Sequence, residues 1–257
     1  MELPSGSPEL DAGLRGGWSR CQITRVLSVS VILIVRNGER FIGEALDSVH
    51  AQTLPPAEVL VIDGHSTDGT VAIARRYEGV IVIQQSGKGI ANAYNEGVSR
   101  SRCELVAFVS HDDRWLPDKL ERQVAALSAQ PEALLSFTHV QHVLAEGASP
   151  PPGFRTAMLE RPVPGFIMET LVARREVFAR VGPFDPSFAV GEDTDWFARA
   201  RDANVPSVLL PETLVIKRAH DSNASLNHGN INTLLLKALR QSIARKRSSG
   251  DSPEGQG

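Results

Sequence analysis

LSVSVILIVRNGERFIGEALDSVHAQTLPPAEVLVID, residues 27–63, decides how the chain begins to fold. Its first nine residues form a continuous, largely β-branched run, the pattern of a strand buried on both faces, and the run stops at the turn dipeptide Asn37-Gly38. Phe41, Ala45, Leu46 and Val49 then recur at helical spacing, and Pro55-Pro56 ends that helix before a second apolar run, EVLVID. The unit repeats. GTVAIARRY (69–77) predicts a helix before the strand GVIVIQ (79–84), and GIANAYNEGV (89–98) a helix before ELVAFVS (104–110). PDKLERQVAALSAQ (117–130) reads as a helix with Pro near its start and Leu120, Val124 and Leu127 on one stripe. Alternating strands and helices predict an α/β fold, a mostly parallel sheet flanked by helices.

After residue 130 the rhythm changes. ALLSFTHVQHVL (133–144) alternates apolar and polar positions over a longer strand, and GASPPPGF (147–154) is too rich in Pro for a central strand. Helices are expected in RREVFARVG (174–182) and EDTDWFARARDAN (192–204), a strand in SVLLPETLVIKR (207–218), and a last amphipathic helix in NTLLLKALRQSIARKR (232–247). This half is predicted to be mixed rather than parallel. The expected organisation is a mobile extension over 1–26, a single domain over 27–228 with halves of about 27–130 and 131–228, and a C-terminal helix and mobile tail over 229–257.

A formal net charge of -3 over 257 residues gives no basic field for nucleic acid. Cys21 and Cys103 lie far apart without metal-ligand spacing, which argues against a disulfide framework or structural zinc. The N-terminal residues lack the basic and apolar regions of a secretory leader, and no run reaches the ~18 apolar residues of a spanning helix. A soluble, cytoplasmic protein is expected.

In an open parallel sheet, ligands bind outside the carboxyl ends of the strands. Asn37, Asp63 and the pair Asp112-Asp113 fall there. Taken singly, each reads equally well as a helix cap, and Asp68 in HSTDGT is expected to be one. Two adjacent carboxylates after so apolar a run as LVAFV need more, because only one can cap. A hard cation, Mg2+ or Mn2+, accounts for both, and its remaining ligands would be water and phosphate oxygens, which implies a nucleoside diphosphate. Glu192, Asp193 and Asp195 open another helix; either they are an acidic first turn favoured by the helix dipole, or the ordered loop before them holds one as a general base.

Residues 29–70, the SHDD at 110–113, RREVFARVGPFDPSFAVGEDTDWFARA (174–200) and LPETLVIKRAHDSNAS (210–225) together resemble the bacterial family 2 glycosyltransferases of GT-A fold. The resemblance implies inverting, metal-aided transfer of a sugar from a nucleotide-diphosphate donor to an acceptor that the sequence leaves unknown. It implies that Asp63 contacts the nucleotide base, Asp112 binds the metal as the last Asp of a DxD motif, and Asp193 of the Glu192-Asp193 pair is the base. His220 matches a position near the metal and diphosphate. Two positions depart from the family pattern. Asp63-Gly64-His65-Ser66 stands where Asp-Asp-Gly-Ser is usual, and Ser110 replaces the first Asp of DxD, keeping a hydrogen-bonding group for a ribose or a metal-bound water without the charge. Lys88 and Arg218 are candidates for phosphate contacts, against the simpler reading of solvated cations. A nicotinamide-binding enzyme is disfavoured because VRNGER lacks GxGxxG. A non-catalytic nucleotide-sugar or carbohydrate-binding protein of the same fold is the alternative. Lys237, Arg240, Arg245, Lys246 and Arg247 beside the apolar stripe Ile231, Leu234, Leu235, Ala238 and Leu239 suggest weak attachment to an anionic membrane, or plain packing on the domain.

Overall fold

The computed structural model describes residues 27–150, 154–220, 236 and 240–245. The expected extension over 1–26, the tail after 245 and the apolar stripe Ile231–Leu239 fall outside the described residues, Leu236 excepted. The first half follows the predicted alternation: β1 (Val29–Val35), α1 (Ile42–His50), β2 (Glu58–Asp63), α2 (Thr70–Ala74), β3 (Val80–Gln84), α3 (Ile90–Arg100) and β4 (Leu105–Ser110). Then come β5 (Arg114–Trp115), α4 (Lys119–Ala129), β6 (Leu135–Leu144), α5 (Ala157–Glu160), β7 (Val163–Pro164), a 3-10 turn at Met168–Thr170, β8 (Val172–Arg174), α6 (Val177–Val181), α7 (Glu192–Asp202) and β9 (Ser207–Ala219).

The strands form one sheet in the order β3-β2-β1-β4-β8-β6-β9-β5, with β7 paired to β6. β3, β2, β1 and β4 are mutually parallel. β8 runs antiparallel between β4 and β6, β9 parallel to β6, and β5 antiparallel to β9, so the second half is mixed as expected. The register of β6 with β9 slips opposite Leu210, Pro211 and Glu212, where a proline that cannot donate to the ladder is accommodated in a bulge.

Strand alternation divides the core in two. Val29, Val31, Leu33 and Val35 of β1, with Leu105, Ala107 and Val109 of β4, pack against Ile42, Leu46, Val49, Leu120 and Val124. Ile32 and Phe108 point to the other face, among Tyr94, Phe178, Phe184 and Trp196. Trp196 is fully buried in α7, and its Nε1 donates to the Gly182 carbonyl at 3.0 Å. Each face therefore needs apolar residues at alternate positions of the same strand, which is why β1 reads as an unbroken apolar run. Residues 240–245 are helical and lie on α7: Ser242 Oγ donates to Asp202 Oδ1 at 2.9 Å, and Arg245 Nη2 to Asp202 Oδ2 at 3.0 Å.

α3 sits close on β1 because Gly97 faces it. A Cβ at Gly97 would lie 2.5 Å from Ile32 Cγ2, a β-branch methyl that cannot swing aside without changing χ1. Gly97→Ala gains about 1 kcal/mol of helix propensity but meets an overpacking cost of about 1–3 kcal/mol. A net loss of stability is expected in urea unfolding; a more stable variant would show that α3 can move off the sheet freely.

Candidate active site

Strand order reverses between β1 and β4, and the loops after β1, β2 and β4 meet at the carboxyl edge. Asn37, at φ 53°, accepts the Thr67 N–H on its side-chain oxygen at 2.8 Å, while its own N–H donates to Ser66 Oγ at 2.8 Å. Asp63 is buried, and both its oxygens accept the Ser66 N–H at 3.2 Å. Asp68 accepts the N–H groups of Thr70 and Glu39, but the cap of α2 is Gly69, so Asp68 stands one position before the capping role expected of it. The His65 ring, at the position of the departure noted above, lies 2.9 Å from the Gln85 carbonyl. Gly38 is required by close approach: a Cβ there would lie 2.5 Å from His111 Cδ2. These contacts bind the first two loops into one surface. Lys88 is exposed in the loop between β3 and α3.

Asp112 and Asp113 diverge. The pairing of Arg114 with Ile216 and Trp115 with Val215 lays the end of β9 beside them. Asp113 turns inward, where its Oδ1 accepts the Arg218 N–H at 2.8 Å and its Oδ2 accepts Lys217 Nζ at 2.9 Å. Lys217 also donates to Glu169 Oε1 at 3.0 Å, and Ser110 Oγ donates to the same oxygen at 2.6 Å. Asp112 Oδ2 instead lies 2.9 Å from His220 Nε2. Burial opposes ionisation of Asp112, but the hydrogen bond to His220 and the surrounding positive charge hold its carboxyl well below the usual range. Burial pushes Asp113 up to about 7, with the charges of Asp112 and Glu169 opposing the pull of Lys217.

This corrects two expectations. Asp113, expected as a second metal ligand, has both oxygens engaged by Lys217 and Arg218, so one metal does not account for the pair. Arg218, a candidate for phosphate, places its Nη2 2.5 Å from Glu44 Oε2 and its guanidinium 4.5 Å from the centre of the Phe41 ring. Ser110 directs its proton to Glu169. The remaining pair, the Asp112 carboxylate and the His220 imidazole, suits a hard divalent cation that takes its other ligands from water and phosphate. Among the described residues, no group of three or more His, Cys, Asp or Glu side chains is arranged to hold a metal.

The first turn of α7 supplies the second set of acids, entered through Gly191 at φ 81°. Asp195 is buried and tied to Arg199 Nε at 2.8 Å, the structural role of an acidic first turn. Glu192 is 5% exposed, and its Oε2 has no hydrogen-bond partner among the described residues. Burial, then the charge of Asp193, pushes the Glu192 carboxyl up to about 8. Asp193 is half-buried and accepts the Thr194 N–H at 2.6 Å; its proton affinity is also raised, by burial and then by Glu169. Burial, and then the charges of Glu169, Glu192, Asp193 and Asp113, push the hydroxyl of the buried Tyr94 well above its ordinary value. Glu169 and Lys217 are the functional-site neighbours that sequence reasoning missed. The available signal was a lone carboxylate inside the apolar stretch GFIMETLV.

A model of glycosyl transferase family 2 matches residues 30–182. Protein Rv1520 of Mycobacterium tuberculosis is 32% identical over 210 residues, 75% of this chain and 59% of that protein, so the chain spans well under two thirds of this relative's length. S. aureus TarS 1–349, solved in complex with UDP-GlcNAc, superposes with a TM-score of 0.67 at 19% identity, covering 85% of this chain and 66% of that one. The mannosyltransferase PcManGT of Pyrobaculum calidifontis, solved with GDP-Man and Mn2+, gives 0.61 at 22% identity, over 88% of this chain and 66% of that one. At these identities the likeness establishes the fold, GT-A.

The raised affinity of Glu192 for its proton has a consequence for stability. Between its unfolded value near 4.3 and its folded value of about 8, the folded chain keeps a proton that the unfolded chain releases. Its contribution is therefore complete below about pH 4 and is lost as pH rises to about 8, on the order of 1 kcal/mol per pH unit. Glu192→Gln is expected to flatten the decline of unfolding free energy between pH 5 and pH 8, opening a gap over the parent at the alkaline end. Parallel curves for the two proteins would contradict this.

Proposed function

The chain belongs to glycosyl transferase family 2, and on that premise we propose that it transfers a sugar, with inversion, from a nucleoside diphosphate donor to an acceptor hydroxyl. The carrying observation is the Asp112–His220 pair at the carboxyl edge of β4, whose chain neighbour Asp113 acts on Tyr94 together with Glu192 and Asp193. In this reading Asn37 and Asp63 face the nucleoside, with Ser110 beside it, and Lys88 approaches the diphosphate. Asp112 and His220 hold Mg2+ or Mn2+. That cation, when bound, supplies positive charge to the departing diphosphate.

Asp193 takes the proton of the acceptor hydroxyl, whose oxygen then attacks the anomeric carbon from the face opposite the diphosphate. A single displacement inverts the configuration. Burial serves this role, because a carboxylate with raised proton affinity is a better base near neutral pH. Glu192 keeps its own proton and so avoids a second negative charge on the same turn. The donor-bound relatives TarS and PcManGT support a nucleotide-sugar donor, and Mn2+ in the latter supports a divalent cation. The proposed setting is polysaccharide, glycolipid or other glycoconjugate synthesis.

Among the described residues, no helix is long and apolar enough to cross a membrane. Weak peripheral attachment is part of the proposal. Leu236 and Ile243, seven residues apart, are 51% and 44% exposed, while Ser242 and Arg245 face α7. Co-sedimentation with anionic liposomes at low salt, lost at high salt, is the expected result; no binding at low salt would remove the membrane from the reading.

Two substitutions test the chemistry. Asp112→Asn should abolish the Mn2+ dependence of nucleoside diphosphate binding in calorimetry. Asp193→Asn should retain that binding while turnover falls by a factor on the order of 10² to 10⁴. Unchanged turnover in Asp193→Asn, with loss in Glu192→Gln, would transfer the role of base to Glu192.

A further inference from the structure

Lys217 Nζ sits between two buried carboxylates, 2.9 Å from Asp113 Oδ2 and 3.0 Å from Glu169 Oε1. Glu169 belongs to the 3-10 turn before β8, Asp113 to the loop after β4, and Lys217 to β9, so one ammonium ties three chain segments of high sequence separation. The tie is completed by Ser110 Oγ on Glu169 at 2.6 Å, the Arg218 N–H on Asp113 at 2.8 Å, and Trp115 Nε1 on the Glu169 carbonyl at 3.2 Å. Two carboxylates buried side by side repel, and a cation held between them removes the repulsion only while all three stay in place.

The two residues proposed to meet the donor's metal are chain neighbours of this tie. Asp112 precedes Asp113, and His220 lies three residues after Lys217. With both Asp113 oxygens held inward, the backbone of the loop is fixed so that Asp112 meets His220 at 2.9 Å. We propose that Lys217 and Glu169 are positioning residues of the donor site: by drawing Asp113 into the protein they hold Asp112 and His220 against each other and facing the ligand. Neither touches the donor. Their role is to make a carboxylate–imidazole pair from residues 108 positions apart, a separation at which local backbone preference has no hold. The inference rests on the reading of Asp112 and His220 as the donor's metal ligands.

Calorimetric titration of the intact chain with UDP and with GDP, each with and without Mn2+, tests it. The proteins compared are the parent, Lys217→Met, Lys217→Arg and Glu169→Gln, with a thermal melt of each. Lys217→Met and Glu169→Gln are expected to lose at least tenfold of the Mn2+-dependent affinity, with little change in binding without Mn2+; Lys217→Arg, which keeps the bridging cation, should retain most of it. Where Lys217→Met gives no cooperative melt, Lys217→Met with Asp113→Asn removes the stranded charge, and the same tenfold loss is expected. A folded Lys217 variant whose Mn2+-dependent affinity stays within twofold of the parent overturns the positioning role. So does a loss equal with and without Mn2+, the mark of a purely structural pair. A parent that binds neither nucleotide with Mn2+ overturns the functional reading itself, and is thereby distinguished from failure of the inference.

Discussion

β1 is covered on both faces, and this constraint governs where chemistry occurs. Val31, Ile32 and Leu33 have no exposed surface, with β2 and β4 bonded to either side. A charge in the middle of such a strand would lose its hydration without gaining a partner, at a cost of several kcal/mol. Polar side chains are consequently displaced to the strand ends. At the carboxyl end they gather, because parallel pairing brings Asn37, Asp63 and Ser110 to the same edge whatever their distance in sequence. The position of the candidate site follows from the sheet before any catalytic argument is made.

The same constraint explains which parts of the fold were legible in the sequence. A strand buried on both faces writes an unbroken apolar run, and α1, α3 and α4 write a stripe, so β1, β2, β4 and their helices could be read directly. β5, β7 and β8 span two or three residues each, too short for any period to show. Yet β8 separates β4 from β6, and β5 aligns β9 with the acidic loop. The mixed character of the second half was visible in the altered rhythm after residue 130. Its strand order was not, since it depends on those short elements and on a bulge at Pro211.

The candidate site divides along a similar line. Residues that end a strand or open a helix, such as Asp63, Asp112 and Asp193, announce themselves through an abrupt change from apolar to acidic sequence. Side-chain partnerships do not. Nothing local connects Glu169 to Lys217 across 48 positions, or Arg218 to Glu44 across 174, and these contacts decided that Asp113 and Arg218 turn away from the roles expected of them. Long-range pairing follows from the register of β5 on β9, which no single stretch of sequence encodes.

Adjacent acids are resolved in this protein by unequal partnership. In Asp112-Asp113, the member beside His220 is held in its charged form, while its buried neighbour is raised to about 7 despite Lys217. In Glu192-Asp193, both carboxyls are raised by burial; the aspartate has the Thr194 N–H, while the glutamate has an oxygen without a partner among the described residues and is pushed up to about 8. Two charges on neighbouring residues in a water-poor setting repel strongly, and keeping a proton on one of them is the least costly release. An acidic pair therefore need not mean two ligands or two bases. It provides one carboxylate that is better partnered and one companion whose proton affinity is raised and responds to whatever charge arrives beside it. A cation at Asp112 and a deprotonated acceptor near Asp193 would act on those companions in opposite directions, the first favouring ionisation of Asp113 and the second disfavouring ionisation of Glu192.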